Sequence, residues 1–364
     1  MGIDSTALLL RWLAEPDSRD FALADLTVLT AMTGDEFADT EHLVTTHILH
    51  RLREARVRFV QVARTGRLEG DGITVLDDSR EPAQLHMRGP YRLSDELLSV
   101  GTVPQVAHGQ RRCTHHFKGF PLTAWTRREF GASPIRRVIG YNADEAARAD
   151  RAEGYSTDDQ PFEFPLVSWG WGRERCAAYV REITSETWRK SCCVFCPFTQ
   201  GKPDVLARYR ESPCEAAEAL FLEYVSLCMN PAMTLYGSKS LRSVIETDGN
   251  HEAVQLLEER LDAVPWAVYR VRRIVWAKGR ADRRTERLSE GDRQEAGAEV
   301  IRLGGNADGG VFRLRVRERA ATYPTVEEMI VAAPAVVAEK SRPSFEENWR
   351  RLTGPTLWEG AGGH

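Results

Sequence analysis

Over its first 140 residues the chain alternates short β-rich runs with stretches of helical periodicity, and this alternation is the strongest constraint on its fold. Asp4–Leu13 (DSTALLLRWL) carries apolar residues at helical spacing, with Asp4 or Ser5 as a natural N-cap. Leu26–Met32 (LTVLTAM) is a β-rich run that ends at Gly34. Asp39–Ala55 returns to helical periodicity, and Val57–Ala63 (VRFVQVA) alternates as a strand does. Leu93–Val100 and Thr114–Phe130 read as helices and Ile135–Tyr141 as another strand. Strands alternating with helices build parallel βαβ units. The expected fold is therefore α/β, an open, doubly wound, mostly parallel sheet whose ligands gather at the carboxyl ends of its strands.

From about Asp144 the pattern changes. Arg173–Ile183, Lys202–Arg210, Glu215–Cys228 and Glu252–Val264 read as helices, and Lys190–Gly201 (KSCCVFCPFTQG) is a cysteine-rich loop. Arg270–Arg287 holds eight basic residues against Asp282 and Glu286, with Trp266, Tyr269 and Trp276 nearby. It reads either as a nucleic-acid surface or as a solvated amphipathic face. Gly304–Gly310 is a turn-rich break before a late strand, Val311–Val316. The expected division is an α/β domain over 1–212, a mainly helical extension over 213–353, and a mobile Gly-rich tail over 354–364.

Composition narrows the class. A hydrophobic content of 42% excludes general disorder. The longest apolar runs, such as Val331–Val337, fall far short of the roughly 20 residues that span a bilayer. No charged-then-apolar leader opens the sequence, so the expectation is a cytoplasmic protein with no membrane partner. The formal charge of −4 requires any nucleic-acid contact to be a local patch. Seven cysteines without an export signal favour reduced thiols, metal ligation or packing over a disulfide framework.

Gly2-Ile3-Asp4-Ser5-Thr6 runs straight into an apolar helix. Free N–H groups at a helix start, a small hydroxyl and a glycine turn make an anion cradle, although an ordinary capped helix has the same residues. A second loop, Thr33-Gly34-Asp35-Glu36-Phe37-Ala38-Asp39-Thr40, follows the next β-run. Cys193-Val194-Phe195-Cys196-Pro197 suits two thiolates on one metal or cluster. Zinc would want two further ligands. Cys113 in CTHHFK and Cys176 in RERC are candidate partners, with Cys192 as a possible substitute. His115 and His116 are ligands or helix-surface residues, and Cys214 and Cys228 read as packing residues. Gly140-Tyr141-Asn142-Ala143-Asp144-Glu145 follows a strand, where a site belongs. There Asp144 and Glu145 suit Mg²⁺ and Arg148 suits phosphate, as do Lys118, Arg189 and Lys190.

Together these segments resemble the PP-loop superfamily of ATP pyrophosphatases, in its phosphoadenylylsulfate (PAPS) reductase-like branch. They are similar to the DndC-type sulfurtransferases of DNA phosphorothioation. In the phosphate loop S-G-G-x-D-S/T, Gly2, Asp4 and Ser5 match, with Ile3 as the variable position and Thr6 next. Met1 stands where the first motif glycine belongs, which raises the expectation of a start further upstream. In D-T-G-x-x-F-x-E-T, Thr33, Gly34, Phe37 and Thr40 match, Asp39 replaces Glu and Met32 replaces the leading Asp. Cys113, Cys176, Cys193 and Cys196 match C-T-x-x-F-K, R-x-x-C and S-x-C-x-x-C-P-F, and Gly140–Arg148 matches G-x-x-A-D-E-x-x-R.

The resemblance implies an adenine nucleotide α-hydrolase-like sheet and cleavage of ATP, as its Mg²⁺ complex, to AMP and pyrophosphate. Asp4, Ser5, Lys118 and Glu145 would act in catalysis, and Gly2–Thr6, Thr33, Gly34, Asp144 and Arg148 would hold nucleotide. It further implies a 4Fe–4S cluster on the four cysteines, a sulfur donor such as a cysteine desulfurase, and DNA, or alternatively tRNA, as acceptor. A sulfonucleotide reductase would want an E-C-G-x-H tail, whereas this sequence ends EGAGGH. A reading of another class is a non-catalytic nucleic-acid-binding scaffold on the same fold.

Overall fold

The helix over Ile3–Ala14 forms as its periodicity predicts, and Ile3, Thr6, Ala7, Leu8, Leu9, Leu10 and Trp12 bury it over most of its circumference. The structure is a computed structural model that describes residues 1–107, 110–199, 202–277 and 280–354. It is a mixed α/β protein in two compact units, one of residues 1–96 with 105–199, the other of residues 97–104 with 200 onward. The expected tail lies, apart from Gly354, outside the described residues. No helix among the described residues is long and apolar enough to cross a membrane.

The first unit is built on β1 (Thr27–Ala31), β2 (Arg58–Arg64) and β3 (Ile73–Ser79), in the order β1-β2-β3. β1 and β2 are parallel, with Thr27 opposite Arg58, and β3 runs antiparallel to β2. Two small ribbons complete its strands: β4 (Val106–Ala107) with β5 (Gln110–Arg111), and the parallel pair β6 (Arg137–Val138) and β7 (Phe162–Glu163). Parallel pairing of β1 with β2 through the helical stretch from Ala38 agrees with a βαβ reading. A large doubly wound sheet is not among the described residues. Within the Ile135–Tyr141 run the strand proper is Arg137–Val138, flanked by backbone bonds from the Ile135 N–H to Asp159 O and from the Ile139 N–H to Glu163 O, and the residues after it form the loop that reaches the first helix. That helix packs against the helix Arg173–Thr184, their apolar faces sharing a core with Leu43, Ile48, Leu52 and Phe59. Each such buried side chain contributes about 1.5–3 kcal/mol.

The second unit corrects the expected mainly helical extension. Its centre is a five-stranded antiparallel sheet of β8 (Trp266–Val275), β9 (Ala281–Gly291), β10 (Asn306–Asp308), β11 (Val311–Arg317) and β12 (Thr325–Pro334), ordered β10-β11-β12-β8-β9. Helices Pro213–Met229 and Arg293–Arg302 pack on it. The Arg-rich stretch is the β8–β9 pair. Arginine obscured it because its charged side chains are held by carboxylates from several elements: Arg270 pairs with Glu328 across the strands, Arg272 with Glu346 of the helix Pro343–Thr353, Arg284 with Glu286 of its own strand and with Glu346, and Arg287 with Glu290 of its own strand. Within the stretch, Lys278 lies outside the described residues.

Candidate functional site

Four loops of the first unit meet at the start of the helix Ile3–Ala14. Gly2 is its N-cap with extended backbone, and no side chain caps the free N–H groups. The loop after β6 lies directly on it. A Cβ on Gly140 would sit 2.7 Å from Ser5 Oγ and 2.8 Å from Ser5 Cα, so only glycine permits this approach. Asn142, 2% exposed, donates from Nδ2 to Asp4 Oδ1 at 3.1 Å and accepts at Oδ1 from the Asp144 N–H at 2.9 Å. Arg173 donates from Nη1 to Asp4 Oδ2 at 3.3 Å. Burial pushes the Asp4 carboxyl above its ordinary range, and Asn142 and Arg173 draw it back in part.

Asp144 takes a different place from the expected Mg²⁺ ligand. Its Oδ2 accepts from the Arg173 N–H at 2.8 Å, so it caps the helix Arg173–Thr184. Glu145 pairs with Arg148, whose guanidinium also lies 4.5 Å from the Tyr141 ring centroid. Both are thus engaged with their own loop rather than with Asp4.

The Thr33–Phe37 loop forms the second wall. Gly34 has a φ of +91° and packs on Arg92, a conformation that favours glycine. Asp35 accepts from the Ser94 N–H at 2.8 Å, and its burial pushes its carboxyl up. The cysteine loop lies across this segment. Cys193 pairs in an antiparallel bridge with Glu36, the Val194 N–H donates to Asp35 O at 2.8 Å, and Ser191 Oγ approaches Gly2. Thr33 Oγ1 and Cys193 Sγ lie 3.4 Å apart. Lys118 Nζ stands 3.1 Å from Glu36 Oε1, and that carboxylate holds the ammonium above its ordinary range.

The four expected cluster ligands divide. Burial, then the charge of Glu36, raises the Cys193 thiol pKa well up, while Lys118 opposes. Cys196 turns back on Cys193 through its N–H and is also pushed up by burial, with Cys113, Lys190 and Arg111 in electrostatic range. Cys176 is fully buried in the apolar core, its thiol pushed up to about 12 by burial and by Asp4. Among the described residues no group of three or more His, Cys, Asp or Glu is arranged to hold a metal ion. As placed, the quartet does not fit one four-thiolate cluster: Cys176 packs in the apolar core against Asp4 and not with the cysteine loop. Cys192 is buried and gives its carbonyl to the Phe37 N–H. His115 is exposed and His116 half-buried. In the second unit Cys228 packs in the interior as expected, but Cys214 is exposed.

Asn142, Arg173, Asp35 and Ser191 lie inside the matched segments but were not assigned to the site from the sequence. Asn142 was visible inside the Gly140–Arg148 segment, as a polar residue just after a strand. Arg173 is the arginine of the R-x-x-C match, but its role there depends on a contact with Asp4 across 169 residues that no local pattern shows. Comparison with protein-family models, curated proteins and solved structures finds no match for this chain.

Proposed function

We propose that the first unit binds ATP over the start of the helix Ile3–Ala14 and cleaves it at the α-phosphate, in service of sulfur transfer to a nucleic acid, DNA. The observation that carries this reading is the convergence of the 2–6, 33–37, 140–145 and 191–196 loops on one helix start. Uncapped N–H groups there suit phosphate oxygens, and Lys118 supplies positive charge nearby. Mg²⁺ enters with ATP as part of the substrate. An acceptor phosphate oxygen attacks the α-phosphorus, the bond to the bridging oxygen breaks, and pyrophosphate leaves with the electron pair. A sulfur nucleophile from a separate donor then attacks the acceptor phosphorus and AMP departs. The chain's contribution is positioning and charge placement, with Asp4 fixed by Asn142 and Arg173. Because the cysteines as placed do not fit a four-thiolate cluster, no step is assigned to one.

The test is product analysis with Mg-ATP and DNA. AMP and pyrophosphate are the expected products, lost in Asp4→Ala; ADP and phosphate, or products unchanged in Asp4→Ala, would remove the reading. A non-catalytic scaffold is the second reading, favoured by the internal pairing of Asp4 with Arg173 and of Lys118 with Glu36. ATP binding without cleavage would select it.

A further inference from the structure

The second unit gathers guanidinium groups that its own carboxylates do not balance. Arg273 on β8 lies directly opposite Arg283 on β9, a like-charge pairing that disfavours the sheet unless something compensates it. Glu327 on β12, opposite Arg273 on the other side, is the only carboxylate in ion-pair contact with this group among the described residues. Arg313 and Arg315 project from β11 on the same face, since Arg315 pairs with Met329 and Met329 with Val271. Arg319 follows on the next turn, in electrostatic range of Arg273.

Arg283 donates to the Val100 and Gly101 carbonyls and Arg313 to the Leu227 carbonyl; among the described residues neither has an ion-paired acid, and Asp308 acts on Arg313 only from a distance. Burial lowers Arg273, Arg283 and Arg313 from the ordinary range, Arg283 to about 10. Of these five arginines, Arg273 alone is ion-paired to a carboxylate among the described residues. The contrast lies in the same sheet, where Arg270, Arg272, Arg284 and Arg287 are each ion-paired. At the open end Arg315 and Arg319 are exposed. Arg319 lies over the ring of Tyr323, which is 52% exposed.

We propose that the open end of this cluster binds the phosphodiester backbone of a nucleic acid, with phosphates meeting the exposed Arg315 and Arg319, a base stacking on Tyr323, and the half-buried Arg273, Arg283 and Arg313 adding positive charge from beneath. Excess guanidinium charge fits phosphates, and an exposed aromatic ring beside it fits a base. The expected nucleic-acid surface is thereby moved from the Arg270–Arg287 stretch to Arg315 and Arg319, with Arg273 and Arg283 of that stretch as half-buried charge behind it. The proposal rests on the nucleic-acid part of the reading above and not on ATP cleavage.

Fluorescence anisotropy on the full chain, with a labelled DNA duplex and an RNA strand of equal length and no nucleotide triphosphate, tests it. Binding should weaken with salt, and Arg315→Glu with Arg319→Glu should weaken it at least about tenfold and reduce the log–log salt slope by about 2. Both positions are exposed, so folding should survive, and Arg302→Glu at an exposed helix end should bind as the parent does. Preference for DNA or for RNA names the polymer and supports the site in either case. No binding of either polymer at about 50 mM salt, or binding unchanged in the double variant, overturns it. Because ATP is absent, failure of the cleavage chemistry cannot produce either negative result.

Discussion

Asn142 Nδ2 donates to Asp4 Oδ1 at 3.1 Å, and the same side chain accepts from the Asp144 N–H at 2.9 Å. One buried amide therefore ties the helix start of the proposed nucleotide site to the residue that caps the helix carrying Arg173. Loss of that tie should leave Arg173, at 3.3 Å, as the charged partner that holds Asp4. Asn142→Ala is expected to reduce pyrophosphate release on the order of 10- to 100-fold through misplacement of Asp4. Steady-state kinetics beside a melting curve check this. A stable variant with parental turnover would show that Asn142 is only a packing residue.

Cys176 shares a core with Ile3 and Ala7 instead of joining the cysteine loop. Cys176→Ala should therefore keep whatever metal the parent chain carries, and lose stability by about 1–2 kcal/mol from a small core void. Metal and acid-labile sulfide counts on anaerobically purified parent, Cys176→Ala and Cys196→Ala would decide the point. Selective loss of iron in Cys176→Ala would return it to the ligand set.

Legibility in the sequence followed the range of the interaction. The helices Ile3–Ala14, Leu93–Val100 and Arg173–Thr184 and the strand β2 were readable, because their signals are local period and burial. β8 and β9 were not, since their charged residues have weak strand preference and are held there by glutamates on β12, on β9 itself and on the helix Pro343–Thr353. The π-helical segments Thr45–Leu49 and His115–Gly119 continue their helices without any distinct residue pattern, so the periodic reading passed over them. In the site, the Gly2–Thr6 and Thr33–Thr40 segments were found by motif. Motif spacing also grouped Cys176 with Cys193, although three-dimensional packing sends it to Asp4.

Glu223, 1% exposed, accepts from the Leu235 N–H at 2.7 Å and the Leu241 N–H at 2.5 Å. This carboxylate replaces secondary-structure partners for a connection between two helices, and both residues it serves are buried. Glu223→Ala would leave those N–H groups without acceptors, at about 1–3 kcal/mol each. Urea unfolding should show a midpoint lowered accordingly. A shift below about 0.5 kcal/mol would mean that water or a rearranged loop satisfies them.

Arg58 on β2 forms a two-pronged contact with Asp78 on β3, at 2.7 Å on each side, and reaches Glu129 at 2.6 Å. The hydrogen bonds from Arg58 hold the Asp78 carboxyl below its ordinary value of 3.8. A depressed folded-state value means that the unfolded chain takes up the proton first. The contribution is therefore complete above about 3.8 and is lost as the pH falls through the lower folded value. Both side chains are partly exposed, which limits the effect to about 0.5–1 kcal/mol at moderate salt. Asp78→Asn isolates it, since asparagine does not titrate. The melting-temperature difference between parent and variant should be constant from pH 7 to about pH 5 and shrink below the ordinary aspartate range. A difference that stays constant to the lowest pH at which both remain folded would show that Asp78 contributes no charge-dependent stability.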